Sequence, residues 1–273
     1  MKQGISGFFK DIFFHLKEIK FIRFCAYPYC TLERYLQTER YSKSYLSAQI
    51  RQWKDVYKNK RCFIIGNGPS LSIKDLEKLN KEITFSSNRI YHMYSKIDWR
   101  PDFYVAFEPE FCKANADMLS KMETRKARFI NVKAWSKNRE SSTTFWLNCT
   151  SKYQLSKLTT KNIEFSNDIS VCVRDAYSVT YTILQIAMYM GFQEIYLLGI
   201  DHYDKSDVNY FVHFYENKKN EYQTPTYLTG IEYGYNLAKS EAEKKGISIY
   251  NATRGGKLEV FDRVDFDTLF DFN

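Results

Sequence analysis

Glycine and proline are scarce in this sequence, which has 11 glycines and 5 prolines among its 273 residues. Such a composition excludes a linker-rich or disordered chain. The six cysteines include no CxxC pair, and no histidine stands beside them at the spacing of zinc ligands. No apolar run approaches the roughly 20 residues that a membrane-spanning helix needs. We therefore expect a globular cytoplasmic protein whose thiols stay reduced.

Aromatic residues, by contrast, are abundant, with 22 tyrosines and 21 phenylalanines, and hydrophobic residues make up 44% of the chain. This content is enough for a sizeable core, and the length fits one large α/β domain with an appendage or two small domains. The formal charge of +8 suits an anionic ligand or an anionic membrane surface, and does not distinguish between them.

Residues 1–60 form a basic and aromatic region that differs from the rest of the sequence. Phenylalanines such as Phe13 and Phe14 are mixed with lysines such as Lys17, which predicts one or two amphipathic helices. A further helix is predicted over Tyr41–Tyr57. Two interpretations stand for this region: a helical appendage packed on the main domain or on a second subunit, and peripheral attachment to the inner face of the cytoplasmic membrane.

Strand and helix patterns alternate from residue 61 onward. The predicted strands are Cys62–Ile65, Ile83–Ser86, Asp102–Phe107, Arg128–Val132, Glu194–Leu198 and Ile247–Tyr250. The predicted helices are Asp75–Leu79, Ser178–Met190 and Thr229–Lys245, and the last two are followed by glycines that can end a helix. Residues 61–273 are therefore predicted to form an α/β domain with a Rossmann-like, mostly parallel sheet and helices on both faces.

Small polar residues stand where these strands end, at the edge where parallel sheets bind ligands. They are Asn67, Ser70, Asn88, Glu108, Asp201 and Asn251. The turn Gly66–Ser70 lacks the Lys-Ser/Thr of a P-loop and does not complete GxGxxG. Gly66 and Gly68 would let the backbone approach a ligand, and Ser70 could present a helix N-terminus to a phosphate. The alternative is a tight turn with a purely structural role.

A second candidate cluster follows the strand Glu194–Leu198. Asp201 stands where a ribose-binding carboxylate is expected, and the hydroxyls of Tyr203 and Tyr210 could stabilise a departing phosphate. His213 and His202 are candidate general bases, because histidine titrates near neutral pH. Packing for the tyrosines, and surface or capping roles for the histidines, are the alternatives. Asp201, Asp204 and Asp207 lie in one loop, but no second carboxylate group is paired with them, so we predict no metal site.

Four motifs together resemble one known family: CFIIGNGPSL, FSSNRIY, YSVTYTILQIAMYMGF with EIYLLGIDHY, and NATRGGKLEVF. They resemble the Maf / 6-hydroxymethylpterin diphosphokinase-like domain family, often encoded among bacterial surface-polysaccharide genes. The resemblance covers Arg61 to Phe270. That family is similar in turn to the CMP-sialic acid-dependent sialyltransferases of glycosyltransferase family 42. The second resemblance implies a metal-independent enzyme in which a histidine deprotonates the acceptor and two tyrosines hold the departing CMP phosphate.

Donor-binding roles carry over to matching positions of this sequence. The turn residues Gly66, Asn67, Gly68 and Ser70 match the part that contacts nucleotide and phosphate. Asn88 matches an asparagine near the cytosine and the donor sugar, and Ser178 and Thr180 match a pair that contacts the sugar carboxylate. Asp201 with Tyr203 matches a GIDxY pair.

Tyr210 lies close to the spacing of the second phosphate tyrosine. Two departures from the sialyltransferase pattern affect the rest of the predicted site. The catalytic histidine of those enzymes lies farther along, in a lid before the next helix, whereas here His213 stands at the start of that segment; His213 is preferred as the base, with His202 as the alternative. Glu108 stands where the sialyltransferases place a second donor-binding asparagine. A carboxylate there would repel a donor carboxylate unless it is paired, which leaves donors other than sialic acid open.

The sequence thus predicts an inverting glycosyltransferase of bacterial surface polysaccharide or glycoconjugate biosynthesis. Its donor would be a CMP-activated sugar, sialic acid-like or Kdo, and its acceptor a glycan or lipid-linked glycan. No cofactor and no nucleic acid partner are predicted, and a homo-oligomer is left open. Two alternatives remain: a 6-hydroxymethylpterin diphosphokinase-like enzyme that needs ATP and Mg²⁺, and a non-catalytic nucleotide-binding module.

Overall fold

The computed structural model describes residues 32–135, 141–150, 163–202, 213 and 225–270. The helices predicted within residues 1–31 lie outside these ranges, so membrane attachment through them stays a prediction. Helix α1 covers residues 32–42 and helix α2 covers Tyr45–Arg51. Among the described residues, no helix combines the length and the apolar character that a bilayer crossing requires.

The single helix predicted over Tyr41–Tyr57 is wrong, because the chain breaks the helix at Ser44. The backbone of Ser44 is extended, and its hydroxyl accepts a hydrogen bond from the Ser47 N–H at 3.3 Å, so a new helix starts there. Short turns follow Arg51, and Asp55 and Asn59 adopt positive φ angles of 59° and 60°.

The centre of the molecule is an eight-stranded sheet in which every adjacent pair is parallel. Its strands are β1 Arg61–Ile65, β2 Thr84–Ser87, β3 Phe103–Ala106, β4 Ala127–Asn131, β5 Thr144–Leu147, β8 Glu194–Leu198, β9 Ser248–Asn251 and β10 Asp262–Arg263. They lie in the order β10-β9-β8-β1-β2-β3-β4-β5. A second sheet pairs β6 Cys149–Thr150 with β7 Val173–Arg174. The predicted α/β class and parallel sheet are confirmed.

Helices cover both faces of the sheet. They are α3 Ile73–Lys78, α4 Pro109–Ala114, α5 Ala116–Ser120, α6 Val179–Tyr189 and α7 Pro225–Lys244, with short 3₁₀ turns at Leu79–Lys81, Ile90–Met93, Val132–Ala134 and Asp267–Phe270. Helix α3 begins before the predicted Asp75 because Ser72 and Asp75 form a reciprocal capping box. Gly191 and Gly246 have φ angles of 89° and 65°, as expected for glycines that end helices.

Two hydrophobic clusters fill the space between the sheet and its helices. One lies on the face covered by α6 and α7, and the other on the face covered by α3, α4 and α5. Helix α2 contributes to both clusters, since Ile50 is buried in the first and Leu46 in the second, and Trp53 in the turn after it packs on the first. The Trp53 ring meets Phe103, Phe129 and Phe145 edge-on, with centroids 5.2–5.9 Å apart. The described part of residues 1–60 therefore packs against the sheet.

Four strands and two helices were missed by the sequence analysis. Strand β5 is buried but only four residues long, and β6, β7 and β10 have two residues each, too few for any periodicity. Helix α4 begins at Pro109, directly after Glu108, where proline suits the first helical position. The strand Arg128–Val132 was placed one residue late, because β4 begins at Ala127 and ends at Asn131.

Candidate functional site

The order in which strands are added to the sheet reverses between β1 and β8, although the two strands are parallel. From β1 the chain builds β2 to β5 on one side, whereas β8, β9 and β10 extend on the other. Such a switch point leaves a crevice at the carboxyl ends of the two central strands. The turn after β1 and the turn after β8 meet there: the Gly66 N–H donates to the Leu198 carbonyl at 2.8 Å, and the Gly68 N–H donates to the Gly199 carbonyl at 2.9 Å.

Asp201 fastens these two turns together. Its carboxylate accepts hydrogen bonds from the Ser70 N–H at 3.2 Å and from the Ser70 hydroxyl at 2.8 Å. Burial raises the pKa of Asp201, and the two bonds from Ser70 lower it in part. The side chain is 8% exposed, so the carboxylate is a structural link at the base of the crevice.

Gly66 and Gly68 are required by this close approach. A Cβ atom on Gly66 would lie 2.8 Å from the Gly199 carbonyl carbon, and one on Gly68 would lie 2.6 Å from the Asp201 Cγ. Both glycines were predicted from the sequence to let the backbone approach a ligand, and this role stays a prediction. In the structure, the space beside them is filled by the turn after β8.

A third segment, from the NATRGG motif, completes the base of the crevice. The Ile200 N–H donates to the Thr253 hydroxyl at 3.1 Å, and the Lys257 N–H donates to the Asp201 carbonyl at 2.7 Å. Gly256 has a φ of 70° and touches the same peptide, where a Cβ would lie 2.9 Å from the Asp201 Cα. Three of the four recognised motifs thus meet in one place.

Asparagines stand at or directly after the ends of several parallel strands, and they are not equivalent. Asn131 donates to the Phe107 carbonyl at 2.7 Å and accepts from the Lys133 N–H at 2.9 Å. Asn251 likewise donates to the Leu258 carbonyl at 2.7 Å and accepts from the Thr253 N–H at 3.0 Å. Both side chains are fully used in supporting loops.

Asn67 uses only half of its amide. Its Nδ2 donates to the Ser87 carbonyl at 3.2 Å, joining the ends of β1 and β2. The residue is only 8% exposed, and its buried Oδ1 has no hydrogen-bond partner among the described residues. A buried acceptor without a partner costs about 1–3 kcal/mol, so this oxygen is suited to accept a bond from a ligand N–H or O–H.

Asn88 and Glu108 occupy the next two strand ends. Asn88 is partly buried and has a φ of 51°, and its carbonyl accepts the Tyr104 hydroxyl at 2.6 Å. Glu108 is exposed at the N-cap position of α4, and its side chain makes no capping hydrogen bond. Both residues therefore lie along the same edge as Asn67.

The N-terminus of α6 contributes the predicted pair Ser178 and Thr180. Helix α6 ends shortly before β8 begins, so its first turn lies at the carboxyl edge of the sheet. The Ser178 hydroxyl lies 2.9 Å from the Tyr235 hydroxyl on α7, and Thr180 is buried at 6% exposure. Ser178 therefore joins α6 to α7 as well as standing at the edge.

Asp175 is a residue of this edge that the sequence analysis missed. It stands between β7 and α6, and its Oδ1 accepts a hydrogen bond from the Tyr177 N–H at 2.8 Å. Burial raises the pKa of Asp175 to about 7, backbone N–H groups oppose this rise, and the charge of Glu108 adds to it. The available signal was a carboxylate three residues before the clearest helix, but β7 was too short to mark a strand end.

The remaining predicted residues are not brought together by the described structure. Tyr203 and Tyr210 lie outside the described residues, so their phosphate role stays a prediction. His202 is buried, has a φ of 50° and places its Nε2 3.3 Å from the Glu232 Oε1 on α7. His213 is partly buried, and the chain on either side of it lies outside the described ranges.

No group of three His, Cys, Asp or Glu side chains that could hold a metal ion occurs in the part of the chain that the structure describes. The expectation that no cofactor is bound stays a prediction. The four described cysteines are free thiols, and burial raises the pKa of Cys62, Cys112 and Cys149.

The parallel sheet and the crevice at its switch point define an α/β protein of Rossmann-like fold. The chain belongs to the family described as 6-hydroxymethylpterin diphosphokinase MptE-like, whose sequence model matches residues 36–207. The family resemblance that the motifs indicated is confirmed. No curated protein matches the sequence.

Two solved structures are similar to the chain at low identity. The Maf glycosyltransferase from Magnetospirillum magneticum AMB-1 is 15% identical with a TM-score of 0.49, and the alignment covers 82% of this chain and 38% of that one. The sialyltransferase CstII from Campylobacter jejuni, in complex with the substrate analogue cytidine-5'-monophosphate, is 16% identical with a TM-score of 0.38, over 74% of this chain and 84% of that one. The chain thus spans well under half the length of the Maf glycosyltransferase.

Proposed function

We propose that the protein is a glycosyltransferase of bacterial surface polysaccharide or glycoconjugate biosynthesis that binds a CMP-activated sugar in the crevice between β1 and β8. The observation that carries the proposal is the buried, unpartnered Oδ1 of Asn67 beside the turn fastened by Asp201. An acceptor at this position suits the N–H and O–H groups of a nucleotide. The motif resemblance supplies the choice of CMP.

The donor would lie across the strand ends, with its nucleotide between Asn67 and Asn88. The N-terminus of α6 would face its anionic sugar, since a helix N-terminus favours negative charge. In the reaction, the acceptor oxygen forms a bond to the anomeric carbon while the bond from that carbon to the phosphate oxygen breaks. The electron pair leaves with CMP, whose phosphate Tyr203 and Tyr210 would stabilise.

A thermal-shift panel tests the donor class. Wild-type protein is measured with CMP, CDP, UDP, GDP and ATP, each with and without Mg²⁺. CMP at about 100 times its dissociation constant should stabilise the folded state by about 2.7 kcal/mol without metal. Failure of every cytidine nucleotide to raise the melting temperature would contradict the proposal.

Two asparagine variants refine this test. Asn67→Ala should abolish the shift given by CMP, because it removes the free acceptor. Asn131→Ala is the matched control: it should lower the melting temperature of the free protein, because both of its hydrogen bonds are internal, and leave the CMP shift intact. Equal CMP shifts in wild type and Asn67→Ala would show that CMP does not bind through the Asn67 side chain.

The family match favours a second candidate, a 6-hydroxymethylpterin diphosphokinase-like transfer of diphosphate from ATP. Such chemistry needs Mg²⁺, and the described residues offer no group of three side chains suited to holding it. This candidate therefore ranks second. Stabilisation by ATP only in the presence of Mg²⁺ would reverse the ranking, and binding without turnover would indicate a non-catalytic module.

A further inference from the structure

Helix α1, residues 32–42, turns a mainly polar side toward the sheet. The side chains of this inner face follow the i, i+3, i+4 and i+7 spacing, and they are Arg34, Gln37, Thr38 and Tyr41. The Gln37 Nε2 donates to the Asn148 Oδ1 at 3.4 Å, and the Tyr41 hydroxyl donates to the Trp146 carbonyl at 2.6 Å. A surface helix ordinarily buries its apolar side, so the arrangement of α1 is reversed.

The outward side of α1 carries the apolar residues instead. Leu32, Tyr35 and Leu36 are 56%, 61% and 41% exposed, and their spacing of three and four residues places them on one face. Arg40 and Lys43 continue this face toward the end of the helix, and both are exposed. We call these five residues the outer face. Scattered exposed apolar residues are ordinary, whereas a cluster of them beside basic residues indicates a surface that another body covers.

The outer face begins at the same edge of the sheet as the crevice. Gln37 and Thr38 lie beside Asn148, which follows β5, whereas Tyr45 at the start of α2 shares a surface depression with Thr144 at the start of β5. The chain therefore runs from the carboxyl end of β5 toward its amino end, and the first turn of α1 lies at the carboxyl edge. Strand β5 is four strands from β1, a separation on the order of 20 Å.

The positive charge of the chain is concentrated in the region that contains this helix. Residues 1–60 hold 12 lysines and arginines and 5 acidic residues, a net charge of +7. Residues 61–273 hold 28 and 27, a net charge of +1. An anionic bilayer attracts a basic segment of this kind, and exposed leucine and tyrosine side chains suit the boundary between lipid headgroups and acyl chains.

A second copy of the chain fits the outer face less well. A stable interface buries about 800 Å² on each partner, which three apolar side chains on two turns of a helix do not supply. A twofold axis also places the same surface of both copies together, so the charge of +7 would meet an equal charge. Size and charge thus both favour a lipid surface.

We propose that the outer face of α1 docks on an anionic membrane surface. Leu32, Tyr35 and Leu36 enter the interfacial layer, and the neighbouring basic residues contact the lipid headgroups. The docking brings the crevice to a distance on the order of 20 Å from the bilayer, where lipid-linked acceptors of the proposed transfer lie. That consequence rests on the proposed function, whereas the docking itself does not.

Vesicle sedimentation with the full chain tests the docking. Vesicles of phosphatidylcholine alone are compared with vesicles of phosphatidylcholine and phosphatidylglycerol in a ratio of about 7:3. The chain should sediment with the anionic vesicles, and added salt should weaken this binding because it screens surface charge. A chain that stays in the supernatant with both kinds of vesicle would overturn the proposal.

A double variant, Leu32→Asn with Leu36→Asn, tests the outer face itself. It should bind the anionic vesicles at least about tenfold less tightly, because two leucine side chains are lost from the interface. Val56→Asn is the matched control: it removes a side chain that is 53% exposed in the turn before β1, and its binding should equal that of the wild type. Equal binding by the double variant and the wild type would overturn the role of the outer face.

Tyr35→Trp reports contact with the acyl chains directly. Brominated phosphatidylcholine in the anionic vesicles quenches the fluorescence of a tryptophan that enters the bilayer. The variant should therefore lose more fluorescence than the wild type, in which Trp99 and Trp146 are buried and supply the background. The same fractional loss in variant and wild type would show that α1 does not enter the membrane.

The remaining outcomes assign the outer face to another occupant. A wild-type dimer in analytical ultracentrifugation that the double variant loses, without vesicle binding, would assign it to a second copy. A lower melting temperature in the double variant than in Val56→Asn, without vesicle binding, would assign it to residues 1–31. Vesicle binding by a chain to which CMP gives no thermal shift would leave the docking in place and overturn the proposed function alone.

Discussion

The two walls of the crevice are built in opposite ways. At the base, between β1 and β8, three turns interlock through backbone hydrogen bonds, and the Asp201 carboxylate has two donors from Ser70. On the α6 side, Asp175 faces another acidic residue and precedes a tyrosine with positive φ. The first wall gains stability from each contact, whereas the second holds a carboxyl group with a raised pKa and a residue with a positive φ. Raised pKa values and positive φ angles both concentrate at functional sites, whereas the interlocked turns form the scaffold.

The largest effect should come from Gly66→Ala at the interlocked wall. The new Cβ would collide with the Gly199 backbone, which belongs to a rigid turn and cannot move aside, so we expect a loss of about 3 kcal/mol or more in the free energy of unfolding. Urea denaturation measures it. Gly255→Ala is the control: its φ is 68° but no atom lies within 4 Å of the new Cβ, so the loss should be about 1 kcal/mol. Equal losses would contradict the interlocked description.

Asp201→Ala should have the next largest effect. It removes two hydrogen bonds to Ser70 and leaves the Ser70 N–H without its acceptor, which together should cost about 2–3 kcal/mol. Ser70→Ala removes only the hydroxyl bond and should cost about 1 kcal/mol. Thermal unfolding of the two variants checks the difference, and a larger loss in Ser70→Ala would show that Asp201 is not the fastening residue.

Asp175→Asn should change the pH dependence of stability at the other wall. The folded protein keeps the Asp175 proton up to about pH 7, whereas the unfolded chain releases it near pH 3.8. Wild-type stability therefore falls as pH rises through this window, and the variant lacks that loss. Relative to wild type, the variant should gain on the order of 2 kcal/mol between pH 5 and pH 7, at up to about 1.4 kcal/mol for each pH unit. Melting curves with identical pH dependence would refute the raised pKa.

The smallest effect is expected for Asn88→Gly. Glycine adopts the φ of 51° without strain, so stability should change by less than about 1 kcal/mol in either direction. Loss of the CMP-induced thermal shift in this well-folded variant would assign the Asn88 side chain to the donor. An unchanged shift would restrict Asn88 to shaping the turn after β2.

The sequence predicted the central part of the fold well. Strands β1 and β8 and helix α6 carry long apolar runs, and Gly191 marks the end of α6 with its positive φ. These elements predicted a parallel sheet with polar residues at its strand ends, whereas the strand order that places the switch point between β1 and β8 was not predicted. Strand β7 was not predictable, because two residues carry no periodicity. Elements with strong local signals were thus found, and those fixed by tertiary pairing were not.

Asp175 was missed for the same reason. Its proximity to Glu108 depends on how α6 packs over the sheet, and no local pattern records a contact between residues so far apart. Gly66 and Gly68 illustrate a different limit: sequence reasoning assigned them to the approach of a ligand, which stays a prediction, and it gave no sign of their close approach to Gly199 and Asp201. The type of constraint was predictable, and the partner was not.

The interlocked turns also determine when the crevice exists during synthesis of the chain. Ser70 and Asp201 are separated by 131 residues, and the last turn that closes around Asp201 ends at Lys257. A growing chain can pair β1 with β2 early, but it can complete the base of the crevice only after Lys257 has been made. Contacts of such high sequence separation slow folding. The ability to bind a ligand in this crevice should therefore arise only after the NATRGG segment has been made and has packed against Asp201.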